Sequence, residues 1–238
     1  MLNFKDFFES QLTLRYHDEL NPKIWKNKNL NPEIRKHLLK IAKAWREFAN
    51  IPEGAVTDIL FTGGNANYNY TKYSDIDVHL IIDKNKIAKC SVLDDYLLDK
   101  KTLWSINHDI EIVGYPVEIY AQDMKEETRS NQGVFSLTKN KWLTFPKQIE
   151  VNYDDPYLLK KINHYKHIMD QFMNSKCDDV IKMKKFKAKF KSMRQAAIDH
   201  GGEFSLENLI FKELRNRGYL DKFTDYIHNI EDHQLTYK

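Results

Sequence analysis

Two aspartates inside an apolar strand constrain this chain more than anything else in it. In DIDVHLIID (75–83), Ile76, Val78 and Leu80 share one face, while Asp75, Asp77 and His79 share the other. The first face has to be buried against a core. The second has to give two like charges either solvent or a cation between them. The preceding apolar run, VTDILFTGG (56–64), ends on two adjacent glycines in a chain that has only eight. Glycine there lets backbone approach a ligand closely and present N–H groups to a phosphate. A third acid, Glu118, interrupts the later apolar segment YPVEIYAQD (115–123) between Val117 and Ile119. An isolated Asp-x-Asp pair reads as a solvated strand edge. Three acids and a glycine turn on one small sheet form instead a constellation suited to two-metal phosphoryl transfer, with Mg²⁺ or Mn²⁺ as the hard cation.

The elements around this motif follow from periodicity and punctuation. NPEIRKHLLKIAKAWREFANIPEG (31–54) is an amphipathic helix: Asn31 can cap it, Pro32 suits its first turn, and Ile34, Leu38, Ile41, Trp45 and Phe48 recur at helical spacing. Pro52 and Gly54 are expected to end it. A helical connection is expected over about 91–103. HDIEIVGYPVEIYAQD (108–123) reads as a hairpin around Gly114, with Pro116 opening its second arm. After residue 150 the pattern turns helical in DPYLLKKINHYKHIMDQFM (155–173), the basic stretch 178–199, SLENLIFKELRNRG (205–218) and LDKFTDYIHNI (220–230). Ser205 can open the third of these and Gly218 stop it. The expected fold is α/β (α+β): a small mixed sheet flanked by helices over residues 1–150, then a C-terminal helical domain over 151–238.

Bulk properties exclude several classes. With 238 residues, 42% hydrophobic and 30% charged, the chain has an ordinary globular composition and can bury a core. No run is apolar enough to span a bilayer, and the first ten residues, MLNFKDFFES, lack the pattern of a signal peptide. The two cysteines, Cys90 and Cys177, stand far apart with no histidine pattern, so they read as reduced thiols in a cytoplasmic protein. A net charge of +3 gives no general argument for nucleic-acid binding.

The motif residues resemble the DNA polymerase β-like nucleotidyltransferase superfamily. Its signature is a strand ending in Gly-Gly or Gly-Ser, a short helical loop, Asp-x-Asp on the next strand, and a third acid on a later strand. LFTGGNANYNYTKYSDIDVHLIID (60–83) and VEIY (117–120) match these parts in order. More narrowly, NPEIRKHLLKIAKAWREF, ANYNYTKYSDIDVH, GVFSLTKNKW and GGEFSLENLIFKELRNRGYLDK are similar to uncharacterised nucleotidyltransferases of large tailed phages, a likeness covering most of residues 22–225. The resemblance implies Mg²⁺-dependent transfer of a nucleoside monophosphate from a nucleoside triphosphate, ATP among them, to an acceptor hydroxyl. An RNA 3′ end such as that of a tRNA, a protein or a small molecule can supply that hydroxyl. A phage enzyme of this kind would work in the host cytoplasm. Asp75 and Asp77 are implied as metal ligands. Glu118 is implied as a ligand of the second metal that helps activate the acceptor, and Gly63 and Gly64 as the phosphate-holding turn. Gly64 stands where many relatives have serine, so a hydroxyl contact is absent while the backbone contribution remains. The alternative from another class is a non-catalytic nucleotide- or RNA-binding regulator. The presence of all three acids argues against such decay.

Further candidates lie around the motif. Asn65 and Ser74 are expected to reach phosphate or the metal's outer shell. Tyr68, Tyr70 and Tyr73 either pack that loop or serve the site. His79 is either a hydrogen-bonded core histidine or a member of the site. In KMKKFKAKFKSMR (182–194), Met183, Phe186, Phe190 and Met193 form the buried stripe and most cations a solvated face. Lys187 and Lys191 are candidates to reach the triphosphate, with RNA backbone contact as the other reading. GVFSLTKNKW (133–142) is either a structural loop or a base-holding one in which Phe135 or Trp142 stacks.

Overall fold

In the computed structural model, residues 12–87, 91–126, 132–149, 151–175 and 177–237 are described. Cys90 and the stretch MLNFKDFFES lie outside them. The chain divides into two compact units. One is Tyr16–Ile149, and the other joins the described residues before Tyr16 to those after Ile149.

The first unit opens with a two-stranded ribbon, β1 (Trp25–Lys26) and β2 (Asn29–Leu30), which leads into helix α1 (Pro32–Phe48). Asn31 caps α1 by accepting from the Glu33 amide, and Ile34, Leu38, Ala42 and Trp45 are its buried stripe. The helix stops before Pro52. Asn50 adopts a left-handed conformation, φ 52°, the Asn50 N–H donates to the Glu47 carbonyl, and the Ile51 N–H donates to the Arg46 carbonyl. This is a Schellman closure, and asparagine tolerates its left-handed residue.

A six-stranded sheet follows. Its strands are β3 (Val56–Thr62), β4 (Ile76–Ile82), β5 (Glu111–Ile112), β6 (Tyr115–Asp123), β7 (Val134–Ser136) and β8 (Lys141–Thr144), in the order β5-β6-β4-β3-β7-β8. Helix α2 (Leu93–Asn107) makes the crossover that leaves β4 and β6 parallel, and every other pair is antiparallel. The β5–β6 hairpin turns at Val113 and Gly114, both at positive φ, as a two-residue loop requires. One face of β4, formed by Ile76, Val78, Leu80 and Ile82, is buried in a core with Leu38, Ala42 and Trp45 of α1 and with Leu97 and Trp104 of α2. That burial fixes the register, because a slip of one residue would drive Asp77 into the core. Residues 133–142 are not a loop. They supply strands β7 and β8 and the turn between them.

The second unit is helical: α3 (Pro156–Asn174), α4 (Val180–Gly201), α5 (Leu206–Asn216) and α6 (Tyr219–Leu235). Asp155 and Asp179 cap α3 and α4 through their side chains, and Gly218, at φ 74°, ends α5 in the left-handed conformation. Ser205 precedes α5 but makes no side-chain capping bond. Leu158, Ile162, Met169, Met183, Phe190, Leu209, Leu214 and Phe223 pack together with Leu14. The fully buried Glu213 accepts from the Thr13 amide, the Thr13 hydroxyl and Arg217, which ties the segment before Tyr16 to this unit. The chain is thus an α+β protein with a C-terminal helical region. Among the described residues no helix is long and apolar enough to cross a membrane.

Candidate active site

The register of three strands builds the site. Asp77 stands opposite Thr62 on β3 and opposite Glu118 on β6, so all three side chains emerge in one row on the face away from the apolar core. Asp75 precedes β4 on the same face. Asp75, Asp77 and Glu118 each offer a carboxylate oxygen, and these oxygens all lie within 4.8 Å of one another. The two aspartates are half-buried and Glu118 is exposed. Three hard oxygen donors at this spacing could hold a metal ion.

The glycine turn is built against this cluster. Gly63 has φ 79° and ψ −167°, a combination open in practice only to glycine. A Cβ at Gly63 would lie 1.6 Å from Asp77 Oδ2, so the backbone there touches the carboxylate itself. Gly64–Ala66 then forms a 3₁₀ turn. Two asparagines hold it. Asn67 Nδ2 donates to the Gly63 carbonyl at 2.6 Å, and its Oδ1 accepts from the Gly133 amide at 2.9 Å. Gly133 can approach this closely only without a side chain, since a Cβ there would come within 2.1 Å of the Ala66 carbonyl oxygen.

Asn65 is 0% exposed. Its Nδ2 donates to the Asp75 carbonyl and its Oδ1 accepts from Asn21 Nδ2, while Trp25 Nε1 donates to its backbone carbonyl. A side chain with no surface does not touch a phosphate. Asn65 instead ties the glycine turn to the start of the aspartate strand. Ser74 is also buried, its Oγ accepting from the Thr71 amide at 2.9 Å and backing Gly64. Tyr68 and Tyr70 are buried and pack the loop, with Tyr70 stacked on His17 at 3.9 Å, whereas Tyr73 is exposed. Burial pushes the phenol pKa of both Tyr68 and Tyr70 up.

His79 lies one row deeper than Asp77. Burial holds its imidazole below the ordinary pKa, the Gln122 hydrogen bond opposes this, and the nearby Lys101 charge adds to it. Neutral His79 donates from Nδ1 to Gln122 Oε1 at 2.7 Å and accepts at Nε2 from the Thr62 hydroxyl at 3.1 Å. It is a hydrogen-bonded strut beneath the acids.

Phe135 is buried in a cluster with Trp25, Phe61 and Trp142, and the Trp142 indole donates to the Lys28 carbonyl. The base-stacking expectation for Phe135 gives way to a core role. Lys187 and Lys191 sit one turn apart on α4, in the helical unit. Burial and the Lys191 charge lower the Lys187 pKa, while Asp221 and Asp225 of α6 oppose that shift.

Two residues near the acids carry no motif signal. Asn67 is one, its role depending on a glycine 66 residues away. Lys101 on α2 is the other: its Nζ lies 3.3 Å from Glu118 Oε2 and 5.0 Å from the Tyr120 ring centroid. Comparison with family models, curated proteins and solved structures gives no match to this chain.

Proposed function

We propose that this chain is a Mg²⁺- or Mn²⁺-dependent nucleotidyltransferase that moves a nucleoside monophosphate from a nucleoside triphosphate to an acceptor hydroxyl, with an RNA 3′ end as the acceptor class. One observation carries the reading: the convergence of Asp75, Asp77 and Glu118 within 4.8 Å beside a glycine turn that touches Asp77. The resemblance of the same residues to DNA polymerase β-like nucleotidyltransferases supports it. An acid triad alone is a generic cation site. The glycine turn narrows the chemistry, because backbone stripped of side chains beside a cation site favours a phosphate ligand.

Asp75, Asp77 and Glu118 would hold the metal. When bound, it would neutralise charge developing on the phosphoryl group and the leaving oxygen. Gly63 and Gly64 give the triphosphate room against the strand ends. Glu118, the exposed member, orients the acceptor hydroxyl. That hydroxyl gives up its proton through the Glu118 carboxylate to water as its oxygen attacks the α-phosphate, the bond to the bridging oxygen of the β-phosphate breaks, and pyrophosphate leaves.

The acceptor is tested by label. The protein is incubated with Mg²⁺ and each α-labelled ribonucleotide in a bacterial lysate, and samples are digested with RNase or protease. Macromolecular label lost to RNase is expected. Label that resists RNase and is lost to protease would make the acceptor a protein, and label in a small product would make it a metabolite; either overturns the RNA assignment.

A further inference from the structure

Lys101 comes from α2, the crossover helix, and no motif marks it. Its ammonium sits between two partners on the site face, the Glu118 carboxylate and the ring of Tyr120, two residues further along β6. Its side chain is 30% exposed and that of Glu118 48% exposed, a setting in which an ion pair adds little to stability. Its electrostatic effect on a neighbouring ion is another matter. A divalent ion that takes Glu118 as a ligand has to displace this ammonium or sit within a few ångströms of it.

We propose that Lys101 is an internal counter-ion of the carboxylate cluster, which competes with the divalent ion for Glu118 and so sets the site's metal affinity. The inference rests on the metal-site reading above. Tyr120 supplies the displaced ammonium with a second seat through a cation–π contact, so Lys101 yields the carboxylate without losing every partner. Asp75 and Asp77 would hold the ion from the β4 side, while Lys101 modulates the one ligand contributed by β6.

The test is Mn²⁺ binding to the full chain, read from the free-ion electron paramagnetic resonance signal. Lys101→Met is expected to bind Mn²⁺ about tenfold more tightly than wild type. That is the scale for removing one charge close to a divalent ion in a half-solvated setting. Lys101→Gln serves as a second neutral variant, and Lys101→Arg, which keeps the charge, is expected to stay within about threefold of wild type. In a Glu118→Gln background the effect of Lys101→Met should shrink to less than about threefold, because the competition has lost its object. A structural ion pair predicts a lowered melting temperature and unchanged Mn²⁺ affinity in Lys101→Met. Unchanged or weaker binding in both neutral variants overturns the inference. The same titration tests the metal site itself: wild type that binds no Mn²⁺, or binding that survives Asp77→Asn undiminished, removes it.

Discussion

Asp77→Asn is expected to abolish nucleotidyl transfer while leaving the fold at least as stable as wild type. The substitution keeps the side chain's size and removes the charge in the middle of the row formed by Thr62, Asp77 and Glu118. With no divalent ion bound, three carboxylates within 4.8 Å repel one another and the Lys101 ammonium beside Glu118 offsets only part of that, so loss of one charge does not weaken the folded state. Stability should therefore change by less than about 1 kcal/mol, in the favourable direction. Transfer should fall by more than about a hundredfold, because loss of a direct ligand exceeds the 10- to 100-fold effects seen for groups behind the ligands. A structural aspartate predicts the reverse, with stability lost and activity per folded molecule retained. Asp83, the residue directly after β4, is the control. It caps the 3₁₀ turn after β4 by accepting from the Asn85 amide, and asparagine caps equally well. Asp83→Asn should be nearly silent in denaturant unfolding and in transfer alike.

Gly63→Ala should also inactivate the protein, by a different route. The φ and ψ of Gly63 cost any other residue about 1–3 kcal/mol. The added Cβ would also overlap Asp77 Oδ2 at 1.6 Å, so the carboxylate has to leave its position in the row. Gly114 separates the two effects. It too has positive φ, 83°, but a Cβ there meets nothing within 4 Å. Gly114→Ala should lose stability through backbone strain alone and keep its transfer rate per folded molecule, whereas Gly63→Ala should lose more stability and at least about tenfold in rate. If the two variants match in both measurements, Gly63 is only a turn residue.

The site's main strand is legible in the sequence for a physical reason. The alternation in 75–83 is uninterrupted, and burying one face of such a strand leaves the other face no choice of register. Helix α1 is legible through Asn31, Pro32 and its apolar stripe. Its C-terminus is not, because the Schellman closure at Asn50 acts before the more conspicuous Pro52. Strands β7 and β8 span three and four residues, too few for alternation to separate from a loop. Their aromatics therefore read equally well as a stacking platform, and only pairing with β3 and contact with Trp25 give Phe135 its core role. Asn65 is visible as a polar residue beside the motif, but its direction is set by Asn21 and Trp25, more than forty positions away in one case and forty in the other. Lys101 is the least legible. It lies on a helix that is apolar on several sides, with Leu98, Leu103 and Ile106 exposed, so helical periodicity alone does not tell which residues face β6. The crossover brings it to Glu118, and crossover geometry is a property of the whole sheet.

The most direct measurement is anomalous diffraction from crystals grown with Mn²⁺ and a non-hydrolysable nucleoside triphosphate. The predicted result is a manganese peak within about 2.5 Å of carboxylate oxygens of Asp75, Asp77 and Glu118, with the triphosphate running from that ion to the Gly63–Gly64 turn. A manganese peak elsewhere, or a nucleotide bound away from the turn with no ion between these three acids, would contradict the account.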